Sequence, residues 1–306
     1  SARLVLDITT DDKTFIVDSI SAALSDAGKP VSFFSNAVID VARNKNGKRA
    51  ANGAETIRES LIHAEMDPPV TDAEIGLLQE EIVRVLNDVA LAVADWEPMR
   101  ARLASSIAQL ERTRLKGVDS EAQKKTIAFL KWLWDNRFAF LGVRHFEYSK
   151  SGDDVKFEHK QEDDLGILKD PDRRILKATY QSNGELSPAV EAFLQSGEPI
   201  IVAKANTKSL VHRRVYMDYV GVKTYSADGN VTGEQRFVGL FTSDAYNRPA
   251  SDIPLIRAKM KAVVEAMSLT PGGHNEKALI NILETFPRDE LFQIDLDALR
   301  ETSLGV

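Results

Sequence analysis

VHRRVYMDYVGVKTYSADGNVTGEQRFVGLFT, residues 211–242, and KALINILETFPRDELFQI, residues 277–294, set the reading of this chain. In the first, two β-rich runs, 211–225 and 235–242, flank Ala227, Asp228, Gly229 and Asn230. An Asp-Gly pair between apolar runs is a strong hairpin signal. In the second, apolar residues recur at helical spacing until Pro287, which cannot continue a helix. Antiparallel strands followed by helices make this part of the chain α+β. Neither stretch holds a catalytic constellation.

Upstream of the hairpin, residues 96–116 predict a charged connecting helix. Ser120 and Gln123 are suited to capping a further helix that carries Ile127, Leu130, Leu133 and Trp134. Residues 138–148 read as a strand, turned at Ser151-Gly152 into 155–159. A polar loop spans 161–172, and a further short run spans 175–180. Ser187-Pro188 starts a short helix that ends at Gly197, and 200–203 opens the strand-rich segment. Ser251 is placed to cap a helix bearing Leu255, Ile256, Met260, Val263, Val264 and Met267. Pro271-Gly272-Gly273 breaks that helix, and Asn275 opens the last long one. The aromatics Trp132, Trp134, Phe138, Phe140, Phe146 and Tyr148 are expected to form the core seam of this module.

The N-terminal part follows a different order. Residues 3–10 alternate as a half-buried strand, and Phe15, Ile16, Ser19, Ile20, Ala23 and Leu24 share a helical face ended by Gly28. Residues 31–43 and 59–67 read as strands around a Lys/Asn/Gly-rich loop. Thr71 and Glu74 form a capping box for a helix with Ile75, Leu78, Ile82, Val85 and Leu86. Residues 90–95 are either a last short strand or the helix running on. The order is βαββα(β), a ferredoxin-like arrangement shared by many unrelated proteins.

Composition is globular, with 43% hydrophobic and 28% charged residues over 306 positions, a length that suits two domains. The net charge of -7 argues against general nucleic-acid binding. There is no cysteine, which removes disulfides and thiolate chemistry from this chain. No apolar run approaches the roughly 18 residues of a membrane span. The chain starts almost directly in a strand, without a signal-peptide pattern, as expected of a cytoplasmic piece of a longer protein.

Seven separated segments carry a family resemblance. They are TDDKTFIVDSI (10–20), ESLIHAEMD (59–67), FLKWLWDNRFAFLGVRHFEY (129–148), LGILKD (165–170), VAKANTKSLVHRRVYMDYVGVKTY (202–225), GEQRFVGLFTSDAYNRPASDIPLIRAK (233–259) and NILETFPRDELFQI (281–294). Together, and over nearly the whole chain, they resemble the N-terminal part of the bacterial large-subunit NAD-dependent glutamate dehydrogenases. The resemblance implies an ACT-like domain at 1–98, a helical connector at 99–136, a PAS-like antiparallel α+β domain at 137–250 and a C-terminal helical segment at 251–306. It also implies catalytic domains downstream that use NAD to oxidise L-glutamate to 2-oxoglutarate and ammonia.

The residues give no cofactor site in this segment. The 17 glycines never fall as G-x-G-x-x-G, so backbone N–H groups have no cradle for a pyrophosphate. By resemblance, the turn Asp11, Asp12, Lys13 and Thr14 is where an ACT module takes an amino-acid effector. Phe15 stands at the usual glycine position, which crowds such a ligand, and two aspartates repel its carboxylate. Lys204, Asn206, Lys208, Ser209, His212 and Arg213, with Arg214, form a basic cluster suited to an anion or an acidic docking surface. The alternative is a set of solvated charges at a loop and strand start, or pairs with acidic groups on another domain. His63, His145, His159, His212 and His274 lack metal-ligand spacing, and Asp153, Asp154, Glu162, Asp163 and Asp164 read as solvated turns. Glu284, Arg288, Asp289 and Glu290 around Pro287 read as a helix boundary held by caps and ion pairs.

These observations favour a non-catalytic regulatory and oligomerisation segment. Its partners would be the downstream domains of the same chain and further copies of it. The alternatives are a sensor of an amino acid or nucleotide, and a self-contained enzyme.

Overall fold

The computed structural model describes residues 3–28, 30–50, 56–67, 71–151, 154–175 and 188–304. The expectations for 51–53, Gly152, Asp153, 176–180 and Ser187 lie outside them. The chain forms two compact units: Ser1–Ala94 with Lys208–Val215, and Asp95–Thr207 with Tyr216–Val306.

In the first unit, β1 (Leu4–Asp11), α1 (Ile16–Asp26), β2 (Val31–Ala42), β3 (Thr56–Met66) and α2 (Asp72–Ala94) follow in order. The strands make an antiparallel sheet in the order β1-β3-β2. Ile8, Ile62, Ala64 and Met66 of the sheet are buried with Ile16, Ile20, Ala23 and Leu24 of α1 and with Ile82, Val85, Val89 and Ala92 of α2. The capping box forms as read: the Thr71 N–H donates to Glu74 Oε2 at 2.8 Å, and the Glu74 N–H donates to Thr71 Oγ1 at 3.3 Å. The optional last strand does not form. Val89 and Ala92 continue the buried face of α2, so the helix runs through to Ala94.

The second unit contains α3 (Trp96–Arg112), α4 (Ser120–Trp132), β4 (Phe138–Ser151), β5 (Asp154–His159), β6 (Leu165–Gly166), α5 (Pro188–Gln195), β7 (Ile200–Lys208), β8 (Tyr216–Tyr225) and β9 (Val231–Phe241). Five helices close it: α6 (Ser243–Asn247), α7 (Pro254–Ala266), α8 (His274–Thr285), α9 (Arg288–Gln293) and α10 (Leu296–Leu304). Its sheet runs β5-β4-β9-β8-β7, with β6 added beside β4. The β8–β9 hairpin closes where expected: the Ser226 N–H donates to Asn230 O at 2.8 Å. Gly229 has φ 82°, and a Cβ there would run into Arg114 O, so only glycine lets the hairpin seat against the end of α3. Lys116 holds that contact through its N–H to Gly229 O at 3.0 Å.

Phe129, Phe138, Phe140, Val220, Val222, Phe237 and Phe241 pack in one core with residues of α3, α4 and α7 to α10. The connector helices and the C-terminal helices are therefore layers on one face of this sheet. Three of the expected seam aromatics leave it: Trp134, Phe146 and Tyr148, the last lining a polar cleft instead. A kink with Asn136 at φ 58° breaks the helical phase after α4, and Trp134 is 41% exposed with the Arg100 guanidinium 4.1 Å from its ring centre. A bulge between Phe140 and Gly142 reverses the parity of β4, so Val143 faces the core and Phe146 packs on the opposite face under Arg236.

Three boundaries differ from the sequence reading. Asp119, not Ser120, caps α4 by accepting the N–H groups of Glu121 and Ala122 at 2.9 and 3.2 Å. Ser251 lies in a 3₁₀ turn and donates to Glu284 Oε1 at 2.7 Å, while Pro254 opens α7. α8 begins at His274 and ends at Thr285; Phe286 is extended because proline follows, and Pro287 is the N-cap of α9. Among the described residues, no helix is long and apolar enough to cross a membrane.

Candidate functional site: the first turn and the open sheet edge

β1 ends at Asp11, and the Asp12 N–H donates to Arg58 O at 2.9 Å. The charges of this turn are already engaged: Asp12 with Arg58 at 3.4 Å, and Lys13 with Asp11 at 2.9 Å. Phe15 then takes the left-handed conformation, φ 73°, at the N-cap of α1. With no side-chain cap available, Ser19 bonds back to Phe15 O through its N–H at 2.9 Å and its hydroxyl at 2.6 Å.

The chain leaves β7 at Lys208, belongs to the first unit through Val215, and resumes as β8 at Tyr216. This segment is closed on itself. The Ser209 N–H donates to Val215 O at 2.9 Å, and the Val211 N–H donates to Ser209 Oγ at 3.0 Å. Val211 is buried. His212, at φ 66°, donates its N–H to Ser19 Oγ at 2.8 Å and places its ring 5.2 Å from that of Phe15, with Nδ1 2.9 Å from Asp18. Arg214 pairs with Glu81 and lies 3.8 Å from Asp26. Beside it is a groove of about 320 Å³ between α1 and α2, floored by Ala23, Ala27, Met66 and Leu78.

The basic cluster is divided between the units. His212 and Arg214 serve the first. Lys204 is in the second, where its Nζ lies 2.6 Å from Asp218 and 3.1 Å from Asp289. Burial penalises the Lys204 ammonium, but the Asp218 and Asp289 carboxylates more than offset it, and its pKa is raised. Burial also pushes the Asp218 carboxyl up. With Lys204 and the Phe241 N–H (3.0 Å) both donating to it, the charged pair is the state this geometry fits. Asn206 is tied by its N–H to Ile175 O at 2.8 Å; Lys208 and Arg213 are engaged as well.

Two polar arrangements escaped the sequence reading. Asp164 is no solvated turn: it is buried and accepts Arg144 Nε and His159 Nε2, both at 2.9 Å. On the same sheet, Tyr219 donates to Glu234, and Glu234 pairs with Arg236 at 2.7 Å, all three buried. Lys223, on the facing position of β8, is 1% exposed and donates to Ser196 O at 2.6 Å; burial pushes its pKa down to about 8. Gly221 leaves room for this network, since a Cβ there would overlap Glu234 and sit 2.8 Å from Tyr219 Oη. The signal was present in GEQR, where charges fall at period two inside an apolar strand. A separate polar cleft of about 430 Å³ in the second unit is lined by Gln109, His145, Glu147, Tyr148, Glu158, Thr224 and Thr232. Among the described residues, no three His, Asp or Glu side chains converge as metal ligands would.

The sheet of the first unit ends in an open edge. Among the described residues, β2 has β3 as its one strand neighbour, and it is 12 residues long. Phe33 is 51% exposed, and Val38 and Ile39 are 40% exposed each. A long apolar edge strand with free backbone groups is a template for another strand.

The glutamate dehydrogenase ACT1 domain model matches residues 1–82, and the glutamate dehydrogenase helical motif 1 model matches residues 253–306. The NAD-specific glutamate dehydrogenase of Halomonas elongata is 34% identical over 314 residues, covering 100% of this chain and 19% of the relative. That of Pseudomonas aeruginosa is 32% identical over 315 residues, again 100% and 19%. The Mycobacterium tuberculosis protein of the same name is 22% identical over 300 residues, 96% of this chain and 17% of the relative. The chain thus spans about a fifth of the length of the curated relatives it matches. It belongs with the NAD-specific glutamate dehydrogenases, as a segment of their N-terminal region that carries the ACT1 domain and helical motif 1.

Proposed function

We propose that this chain is the non-catalytic regulatory and assembly segment of an NAD-dependent glutamate dehydrogenase. The parent reaction is oxidation of L-glutamate by NAD to 2-oxoglutarate, ammonia and NADH, carried by domains further along the same polypeptide. The observation that carries the reading is the open β2 edge. Its exposed Phe33, Val38 and Ile39 and unpaired backbone suit pairing with the same edge of a second copy. The second unit, read as PAS-like, would serve as the platform joining this module to the downstream domains, so that assembly biases the distant catalytic cleft.

Sedimentation equilibrium tests the pairing. The chain is expected to self-associate, and V38K/I39K is expected to weaken association at least 10-fold while leaving the thermal transition of the first unit in place. A monomer at all concentrations up to about 1 mM (a Kd weaker than about -4 kcal/mol of binding) would defeat the proposal.

The cleft of about 430 Å³ favours a second reading, a small-molecule sensor. A ligand at 100 times its Kd adds about 2.7 kcal/mol of stability. A thermal-shift screen of amino acids, nucleotides and 2-oxo acids with no response removes this reading.

A further inference from the structure

Among the described residues, four non-glycine residues have positive φ: Phe15, Asn136, His212 and Ser268. Two of the four face each other. Left-handed backbone is disfavoured for a side-chain-bearing residue and persists where the surroundings over-determine it. Here both twists serve one contact. The twist at Phe15 presents its ring at the mouth of α1. The twist at His212 directs an N–H to Ser19 Oγ and an imidazole onto that ring, with Nδ1 at Asp18.

The receiving surface offers three complementary features: a flat apolar ring, a buried hydroxyl and a carboxylate. Ser19 Oγ donates its own hydrogen to Phe15 O at 2.6 Å, so it meets His212 as an acceptor. His212 lies 193 residues further along the chain, and it arrives on a segment held in shape by its own Ser209 and Val215 bonds. Local chain geometry therefore does not force the meeting; the segment is docked.

We propose that Lys208–Val215 is a releasable strap with His212 as its latch, so that the first turn of the ACT domain is occupied from within the chain. Tethering gives the imidazole an effective concentration on the millimolar scale or above. A free ligand reaching for Phe15, Asp18 and Ser19 must outcompete it and lift a segment whose two ends continue into β7 and β8. This goes beyond the assembly role and is independent of β2 pairing.

The test uses the whole 306-residue chain and amide-resolved NMR. His212→Gly accommodates the positive φ while removing the ring. Imidazole at 20 mM is expected to bind this variant saturably, shifting the resonances of Phe15, Asp18 and Ser19, and to leave those of the wild type unmoved. The His212 amide is expected to exchange at least 10-fold faster in Ser19→Ala than in the wild type. His212→Asn, which also tolerates left-handed backbone, serves as a second variant and is expected to free Phe15 while keeping the N–H bond to Ser19. Equal imidazole response in wild type and His212→Gly, or an unprotected His212 amide in the wild type, would overturn the proposal.

Discussion

Lys223 provides the sharpest energetic test of the second unit. The residue is 1% exposed, and its ammonium has one neutral carbonyl as its nearest hydrogen-bond partner, Ser196 O at 2.6 Å, with the Phe193 ring centre at 4.8 Å. Burial lowers its pKa from the ordinary 10.5 to about 8. A group whose charged form is disfavoured by folding makes the protein least stable where it is protonated in both states, below about pH 8. The unfolded chain holds the proton more tightly, so stability rises with pH from about 8 towards 10.5. The full gap is worth about 3 kcal/mol, and about 2 kcal/mol of it is recovered between pH 7 and pH 9.5.

Removing the charge isolates this contribution. Lys223→Met is expected to stabilise the second unit by about 2–3 kcal/mol at pH 7, less the lost bond to Ser196, and its advantage should shrink by about 2 kcal/mol at pH 9.5. Lys259 is also lowered by burial and contributes with the same sign, so the difference between wild type and variant carries the result. The buried tyrosines act in the opposite sense, because burial raises Tyr219 and Tyr225 while unfolded tyrosine ionises near pH 10; the series therefore stops at 9.5. The chain's three tryptophans, Trp96, Trp132 and Trp134, all lie in the second unit, so urea unfolding followed by their fluorescence reads that unit. A wild-type minus variant difference that stays constant from pH 7 to 9.5 would refute the reasoning.

Asp164→Ala is expected to cost the second unit about 3–5 kcal/mol, because it removes the buried carboxylate that part-buried Arg144 and His159 share; urea midpoints measure it. Gly221→Ala forces a methyl into Glu234 and towards Tyr219 Oη and should lower the same transition by about 1–3 kcal/mol, with the first unit unchanged. Thr71→Ala removes the capping-box hydroxyl of α2 and should cost the first unit about 1 kcal/mol, read by far-UV circular dichroism.

Local pattern carried most of the secondary structure. The capping box at Thr71 and Glu74, the apolar face of α1, the Asp-Gly hairpin and the stop at Pro287 each depend on residues within a few positions of one another, so they are readable in order along the chain. Features set by distant partners were not. Asp164 looks like a turn residue because its neighbours are polar, yet its environment is supplied by Arg144, 20 residues earlier. The bulge in β4 reversed the side-chain parity between Phe140 and Phe146, which alternation alone does not reveal. The basic cluster was contiguous in sequence but divided in space, because the chain changes units at Lys208 and again after Val215. The docking of His212 on Ser19 spans 193 residues and has no local signature beyond a serine on a helix face and a histidine in a loop.

The most direct test of the assembly role is mass photometry, with steady-state kinetics on the same samples, of the parent enzyme carrying V38K/I39K. The expected result is a smaller assembly with altered kcat or KM for glutamate. An unchanged mass together with unchanged kinetics would contradict it.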